Sequence, residues 1–163
     1  MEQGLIQVYG GEGHGKSAAA LGKAMQVAGA GRSVVIINFL KGNRNEELLK
    51  RLEPEIKVFR FEKSEEEFAQ LSEERKQEEI HNIRNGLNFA KKVLTTGECG
   101  LLILDEVLGL MDNGIITVED LQYILDAKAE DVGIILTGIH FSDAVCRIAD
   151  EVFCIEPVNY KIF

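Results

Sequence analysis

The sequence is poor in several residue types: no tryptophan, two prolines, three cysteines and three histidines in 163 residues. Each scarcity excludes something. Cys99, Cys146 and Cys154 cannot all pair, and none belongs to a Cys-x-x-Cys arrangement. Neither a disulfide framework nor a structural zinc site is therefore expected. The three read as reduced thiols of a cytoplasmic protein, packed as small apolar core residues. Cations are also short, with 18 Lys and Arg against 27 Asp and Glu, a net charge of −9. Such a surface repels nucleic acid and anionic membrane, so neither is expected as a partner. No apolar run approaches the roughly 20 residues that a membrane span needs. The start, Met1-Glu2-Gln3-Gly4, has no basic segment and predicts no signal peptide.

What remains is ordinary for a globular chain: 45% apolar and 28% charged residues. The length fits one domain over 1–163, able to bury roughly 70% of its unfolded surface. Strand and helix patterns alternate. Residues 5–9 are a short apolar run stopped by Gly10-Gly11, a first strand; 16–28 form a helix ended by Gly29 and Gly31. Residues 33–40 are β-branched and read as a buried strand; 45–52 read as a helix closed before Pro54. Residues 56–61 alternate and read as a strand near an edge. In the acidic stretch 62–79, Ser64 and Glu67 have capping-box spacing and predict a helix start. Ile80, Ile83, Leu87, Ala90 and Leu94 place one apolar stripe on a long helix. Residues 101–104, 132–137 and 151–155 read as strands. Asp112-Asn113-Gly114 is a turn, Thr117 with Asp120 caps a helix, and 142–149 is a further helix. The sum is an α/β fold, a mostly parallel sheet with helices on both faces. Its ligands bind beyond the carboxyl ends of the strands.

Two stretches carry chemistry. Gly10-Gly11-Glu12-Gly13-His14-Gly15-Lys16-Ser17 matches the P-loop pattern between a strand and a helix. Its glycines let backbone N–H groups turn toward phosphate oxygens, and the helix dipole points at the anion. Lys16 supplies a compact positive charge, Ser17 a hydroxyl for Mg²⁺, and His14 a phosphate contact. Glu12 places a negative charge in the loop and has to turn away from the phosphates or meet the sugar or base. The second stretch, Leu101-Leu102-Ile103-Leu104-Asp105-Glu106, delivers two carboxylates from a buried strand, the Walker B pattern. Its alternative is an acid that caps the next helix. Thr137-Gly138 ends another strand on the same edge. His140 reads as structural and His81 as solvent-facing. The chain thus reads as a P-loop protein that binds the triphosphate of ATP.

Taken together, these residues resemble the P-loop cob(I)alamin (corrinoid) adenosyltransferases of bacteria. The resemblance is carried by residues 8–22, by Phe39-Leu40-Lys41-Gly42, Ile103-Leu104-Asp105-Glu106 and Leu136-Thr137-Gly138, and by Glu156-Pro157-Val158 after the last strand. It implies a RecA-like α/β fold of the P-loop NTPase kind, in which cobalt(I) of a reduced corrinoid attacks the 5′ carbon of ATP and triphosphate leaves. It implies Lys16 and Glu106 as catalytic residues, and Ser17, Asp105 and Glu106 as holders of Mg²⁺ or Mn²⁺. Gly10, Gly11, Glu12, Gly13, His14, Gly15, Lys16, Ser17, Ala18, Thr137 and Gly138 would line the nucleotide. An aromatic group under the corrin is implied too, with Phe59, Phe61 and Phe68 as candidates. The implied partners are a second copy of the chain and a flavoprotein reductant. Three positions differ from the residues common in the family: His14 stands for Lys, Ala18 for a second hydroxyl residue, and Ile139 for an Arg whose bidentate donors Ile lacks. A diverged ATP-binding protein, with or without a bound corrinoid, and another small P-loop kinase are the alternatives.

Overall fold

The computed structural model describes residues 3–40, 46–159 and 161. Met1, Glu2, Lys41 and Gly42, named above, and the first residue of the 45–52 segment lie outside them. The strands are β1 (Ile6–Gly10), β2 (Val34–Asn38), β3 (Ile56–Arg60), β4 (Leu101–Asp105), β5 (Gly133–Gly138) and β6 (Glu151–Cys154). The helices are α1 (Lys16–Gly29), α2 (Glu46–Lys50), α3 (Glu73–Thr96), α4 (Val107–Asp112), α5 (Val118–Leu125) and α6 (Asp143–Ile148). The strands form one sheet in the order β3-β2-β4-β5-β1-β6, and every pairing is parallel. β5 therefore separates the P-loop strand β1 from the carboxylate strand β4.

Period-two alternation sorts side chains to the two faces of this sheet. Leu101 and Ile103 of β4, with Val34 and Ile36 of β2, pack with Ala20 and Ala24 of α1. Leu102 and Leu104 point the other way, into a cluster with Ile83, Leu87 and Leu94 of α3 and Leu121 of α5. The alanines let α1 lie close against the strands, and that closeness brings its first turn down onto the sheet's carboxyl edge. By the same alternation, Asn38 and Asp105 end their strands on the α1 face.

Several boundaries follow local chemistry. Thr117 and Asp120 make the reciprocal capping box at the start of α5. The box expected at Ser64 does not form. The Ser64 hydroxyl accepts from the nearby Glu66 N–H, and α3 starts only at Glu73, where Ser72 accepts from Arg75 N. Only a 3₁₀ turn, Phe68–Gln70, interrupts the loop before α3. Helix α4, read from the sequence only as the approach to a turn, directly follows β4 and is buried through Leu110. β3 is an edge strand, as its alternation predicts; β6 forms the other edge and is exposed along its length. Cys99 is buried, but Cys146 is only partly covered and Cys154 is exposed, so the three cysteines are not all core residues. Cys154 lies on that open edge. No described helix is long and apolar enough to cross a membrane.

Candidate active site

The phosphate loop forms where β1 runs out. Gly10 lies in register with Gly138 and has no room for a side chain, since a Cβ there would lie 2.2 Å from the Phe141 ring. Gly11 has φ +121°, a conformation L-residues rarely adopt. Helix α1 opens at Gly15 with no side-chain cap, so its dipole and first-turn amides are presented to the loop. Lys16 is only 7% exposed, and its Nζ spans the loop to donate to the Gly13 carbonyl at 3.0 Å. Glu12 and His14 are exposed, so the Glu12 carboxylate is turned to solvent.

Not every loop amide faces a ligand, contrary to the motif-based expectation. Gly11 N–H donates to the Ile139 carbonyl (3.2 Å) and Gly13 N–H to the Ile155 carbonyl (3.1 Å). Ile155 N–H donates in turn to the Gly10 carbonyl at 2.7 Å. The residues just after β6 thus form a wall against the loop. A Cβ on Gly13 would lie 2.7 Å from the Ile155 carbonyl oxygen. Part of the glycine requirement is therefore this packing and not phosphate approach. In the sequence Ile155 is merely an apolar strand end, with no mark of its contact across the fold.

The carboxylates come from β4. Asp105 is 2% exposed, and its Oδ1 accepts from the Ser17 hydroxyl at 2.9 Å and the Thr137 hydroxyl at 2.8 Å. These three residues come from α1, β4 and β5, and Ser17 and Asp105 are 88 positions apart. Glu106 has φ +63°, which costs a non-glycine residue about 1–2 kcal/mol. Its N–H donates to Thr137 Oγ1 at 2.8 Å, which helps hold that turn. Glu106 occupies the N-cap position of α4 without making a capping bond, so helix capping does not account for it. Thr137 is fully buried, with its hydroxyl given to Asp105 and Glu106. It thus bonds the Asp105 carboxylate and the Glu106 backbone at once. Gly138 is required by packing, since a Cβ there would meet Leu108 Cβ at 2.4 Å. Ala18 and Ile139 are exposed beside this edge, and His140 bonds Asp112 at the surface through Nδ1, at 3.3 Å. His81 is exposed on α3, as expected.

One further polar residue lies beside Asp105. Asn38 ends β2 in register with Asp105 and is 5% exposed. Its Oδ1 is buried without a hydrogen-bond partner. Asn38 lines a cavity of about 130 Å³ with Ser17 and Asp105, closed on its apolar side by Leu21, Ile36, Val58 and Ile103. The sequence signal is faint: one polar residue closing the run Val34-Val35-Ile36-Ile37. Among the described residues no three His, Cys, Asp or Glu side chains converge on a point. A cation here would draw on Ser17, the carboxylates, phosphate and water, an all-oxygen set that suits Mg²⁺.

The next loops frame the edge. Phe39 is buried, and its N–H donates to the Asp105 carbonyl at 2.9 Å. Leu40 follows with φ +55°, its N–H held by Glu62 Oε1 at 2.7 Å. Burial raises the Glu62 pKa; the Leu40 N–H opposes this, Glu79 adds to it and Arg60 opposes it. Phe59 and Phe61 both pack on Phe89, with ring centroids 4.7 and 5.5 Å apart, and all three rings are partly buried against the core. Phe68 sits in the 3₁₀ turn beyond β3, partly buried, with Lys76 Nζ 5.8 Å from its ring centre.

A P-loop lysine, a hydroxyl–carboxylate pair and the Phe39-Leu40 turn thus converge on one sheet edge. A sequence model of the family described as ATP:corrinoid adenosyltransferase BtuR/CobO/CobP matches residues 2–162. The chain belongs to this family. It is 26% identical to the corrinoid adenosyltransferase of Escherichia coli K12 over 159 residues, covering 98% of this chain and 80% of that one. The Pseudomonas aeruginosa corrinoid adenosyltransferase is also 26% identical, over 153 residues, covering 93% and 74%. An uncharacterized Nostoc protein is 28% identical and is covered over only 45% of its length. In structure, a KaiC-like protein from Pyrococcus horikoshii matches with a TM-score of 0.59 at 17% identity, covering 98% of this chain and 76% of that one. That likeness concerns the fold alone, the α/β P-loop architecture expected from the sequence.

Proposed function

We propose that this chain transfers the 5′-deoxyadenosyl group of ATP to the cobalt of a reduced corrinoid. The observation that carries the reading is the 2.9 Å bond between Ser17 and Asp105, which joins the two nucleotide motifs under the start of α1 in a member of this family. In the reaction the electron pair of cobalt(I) forms the cobalt–carbon bond. The bond from the 5′ carbon to the α-phosphate oxygen breaks, and triphosphate leaves with the electron pair of that broken bond. The protein's task is to stabilise charge on the departing chain. Lys16 is placed to move from the Gly13 carbonyl to a phosphate oxygen, and the α1 amides supply the rest of the cradle. Ser17, Asp105 and Glu106 would hold Mg²⁺, and bound Mg²⁺ neutralises the phosphates. Phe59, Phe61 and Phe68 are the aromatic candidates for the corrin; Phe59 and Phe61 pack on Phe89, while Phe68 sits apart in the 3₁₀ turn. The partners carried over from the family are a second copy of the chain and a flavoprotein reductant, in the reducing cytoplasm that free thiols suit.

The test is to mix the protein with ATP, Mg²⁺ and chemically reduced cobalamin and record the visible spectrum. A light-sensitive cobalt–carbon product with release of triphosphate is expected. A second reading, ATP binding without efficient turnover, is favoured by Ile139, which exposes an apolar side chain where the family has Arg. Tight ATP binding with no product over hours would select it.

A further inference from the structure

Asn38 is the described residue with a buried side-chain polar atom lacking any partner. Leaving such an atom unpaired is costly, and a leucine of similar size would pack there without that penalty. Buried polar atoms in folded proteins almost always find a partner, so a water, an ion or a ligand is required here to complete the bond. Strand geometry narrows the choice. Val34 and Ile36 belong to the cluster under α1, so Asn38, two residues on, faces α1 as well. Its register partner is Asp105, and it shares a cavity wall with Ser17 and Asp105. The groups beside it are a hydroxyl and a carboxylate, oxygen donors of the kind that share a hard cation with phosphate. Mg²⁺ sheds water reluctantly and keeps part of its hydration shell when bound. Those waters are donors and need acceptors.

We infer that Asn38 is a positioning residue for the cation: its carboxamide oxygen accepts a hydrogen bond from water bound to Mg²⁺ beside Asp105. This rests on the reading of the site as an Mg²⁺–ATP site and adds to it a residue outside both nucleotide motifs. Residues that orient a metal's ligands typically change metal affinity 10–100-fold when removed.

The experiment compares the wild-type protein with Asn38→Leu, using calorimetric ATP titrations over a series of free Mg²⁺ concentrations. The Mg²⁺ concentration for half-maximal tightening of ATP binding is expected to rise about tenfold or more in the variant. ATP affinity in EDTA is expected to stay within about twofold, since no phosphate contact is removed. The same Mg²⁺ dependence in both proteins would overturn the inference. A second readout uses the unaltered protein. The side-chain amide resonances of Asn38 should shift when Mg²⁺ is added to the ATP-bound form, and their failure to move also overturns it. If the wild-type protein binds no ATP, the parent reading fails first. If it binds ATP and only Asn38 is silent, this inference fails alone.

Discussion

Replacing Thr137 by Val tests the hydroxyl that links the two acidic residues. The swap keeps a β-branched side chain of nearly the same shape in strand β5, so packing changes little. It removes the donor 2.8 Å from Asp105 Oδ1 and the acceptor 2.8 Å from Glu106 N. A hydrogen bond to a charged group contributes about 1.5–3 kcal/mol, and a stranded buried donor costs about 1–3 kcal/mol. Thr137 is 0% exposed, which keeps water from replacing the hydroxyl directly. Glu106 is only partly buried, so its N–H can recover some hydration. The gain from the added buried methyl is about 0.8 kcal/mol. The balance is a loss of about 2–4 kcal/mol, a large share of the roughly 5–15 kcal/mol that holds a domain folded. Thr137→Ser is the control: it keeps the hydroxyl and loses a buried methyl, at about 1 kcal/mol. Urea unfolding without nucleotide, with equal slopes in the three proteins, measures both. If the Val variant is no less stable than the Ser variant, the hydroxyl bridge does not hold this turn, and the account of how Glu106 tolerates its positive φ is wrong.

Three other perturbations follow from the same geometry. Lys16→Ala should lower ATP affinity roughly 10- to 100-fold by calorimetry, the equivalent of one charge-assisted bond, and an unchanged affinity would show that the phosphates lie elsewhere. Gly13→Ala should destabilise by about 1–3 kcal/mol in urea, because the new Cβ meets the Ile155 backbone oxygen at 2.7 Å; wild-type stability would refute the wall. Glu62→Gln keeps an acceptor for Leu40 N–H and deletes a carboxyl whose pKa burial raises. A raised carboxyl binds its proton more tightly folded than unfolded, so its contribution to stability falls as pH rises through the folded value. The Gln variant should therefore gain on the wild-type protein at pH about 8 and lose that advantage toward the ordinary carboxyl range. An advantage that grows as pH falls would reverse the sign and reject the desolvation argument.

The sequence by itself determined what depends on neighbours along the chain. The β-branched run at β2, the α3 stripe through Ile83, Leu87 and Leu94, and the Thr117–Asp120 cap are all local patterns, and each is present in the fold. The P-loop and the acidic strand end are local as well, so the kind of site and its place at the strand ends were legible. The tertiary structure decided everything that depends on strand order. Placing β5 between β1 and β4 brings Thr137 to Asp105, a contact 32 positions apart in sequence. Placing β6 beside β1 puts Ile155 against Gly13, and pairing β2 with β4 puts Asn38 next to Asp105. Ser64 shows the converse: its spacing promised a cap, yet the helix began at Glu73 after Ser72. A motif states which side chains a site requires of a short segment. Which distant side chains share its hydrogen bonds is settled only when the strands are laid side by side, because hydrogen bonds act over about 3 Å of space and take no account of separation along the chain.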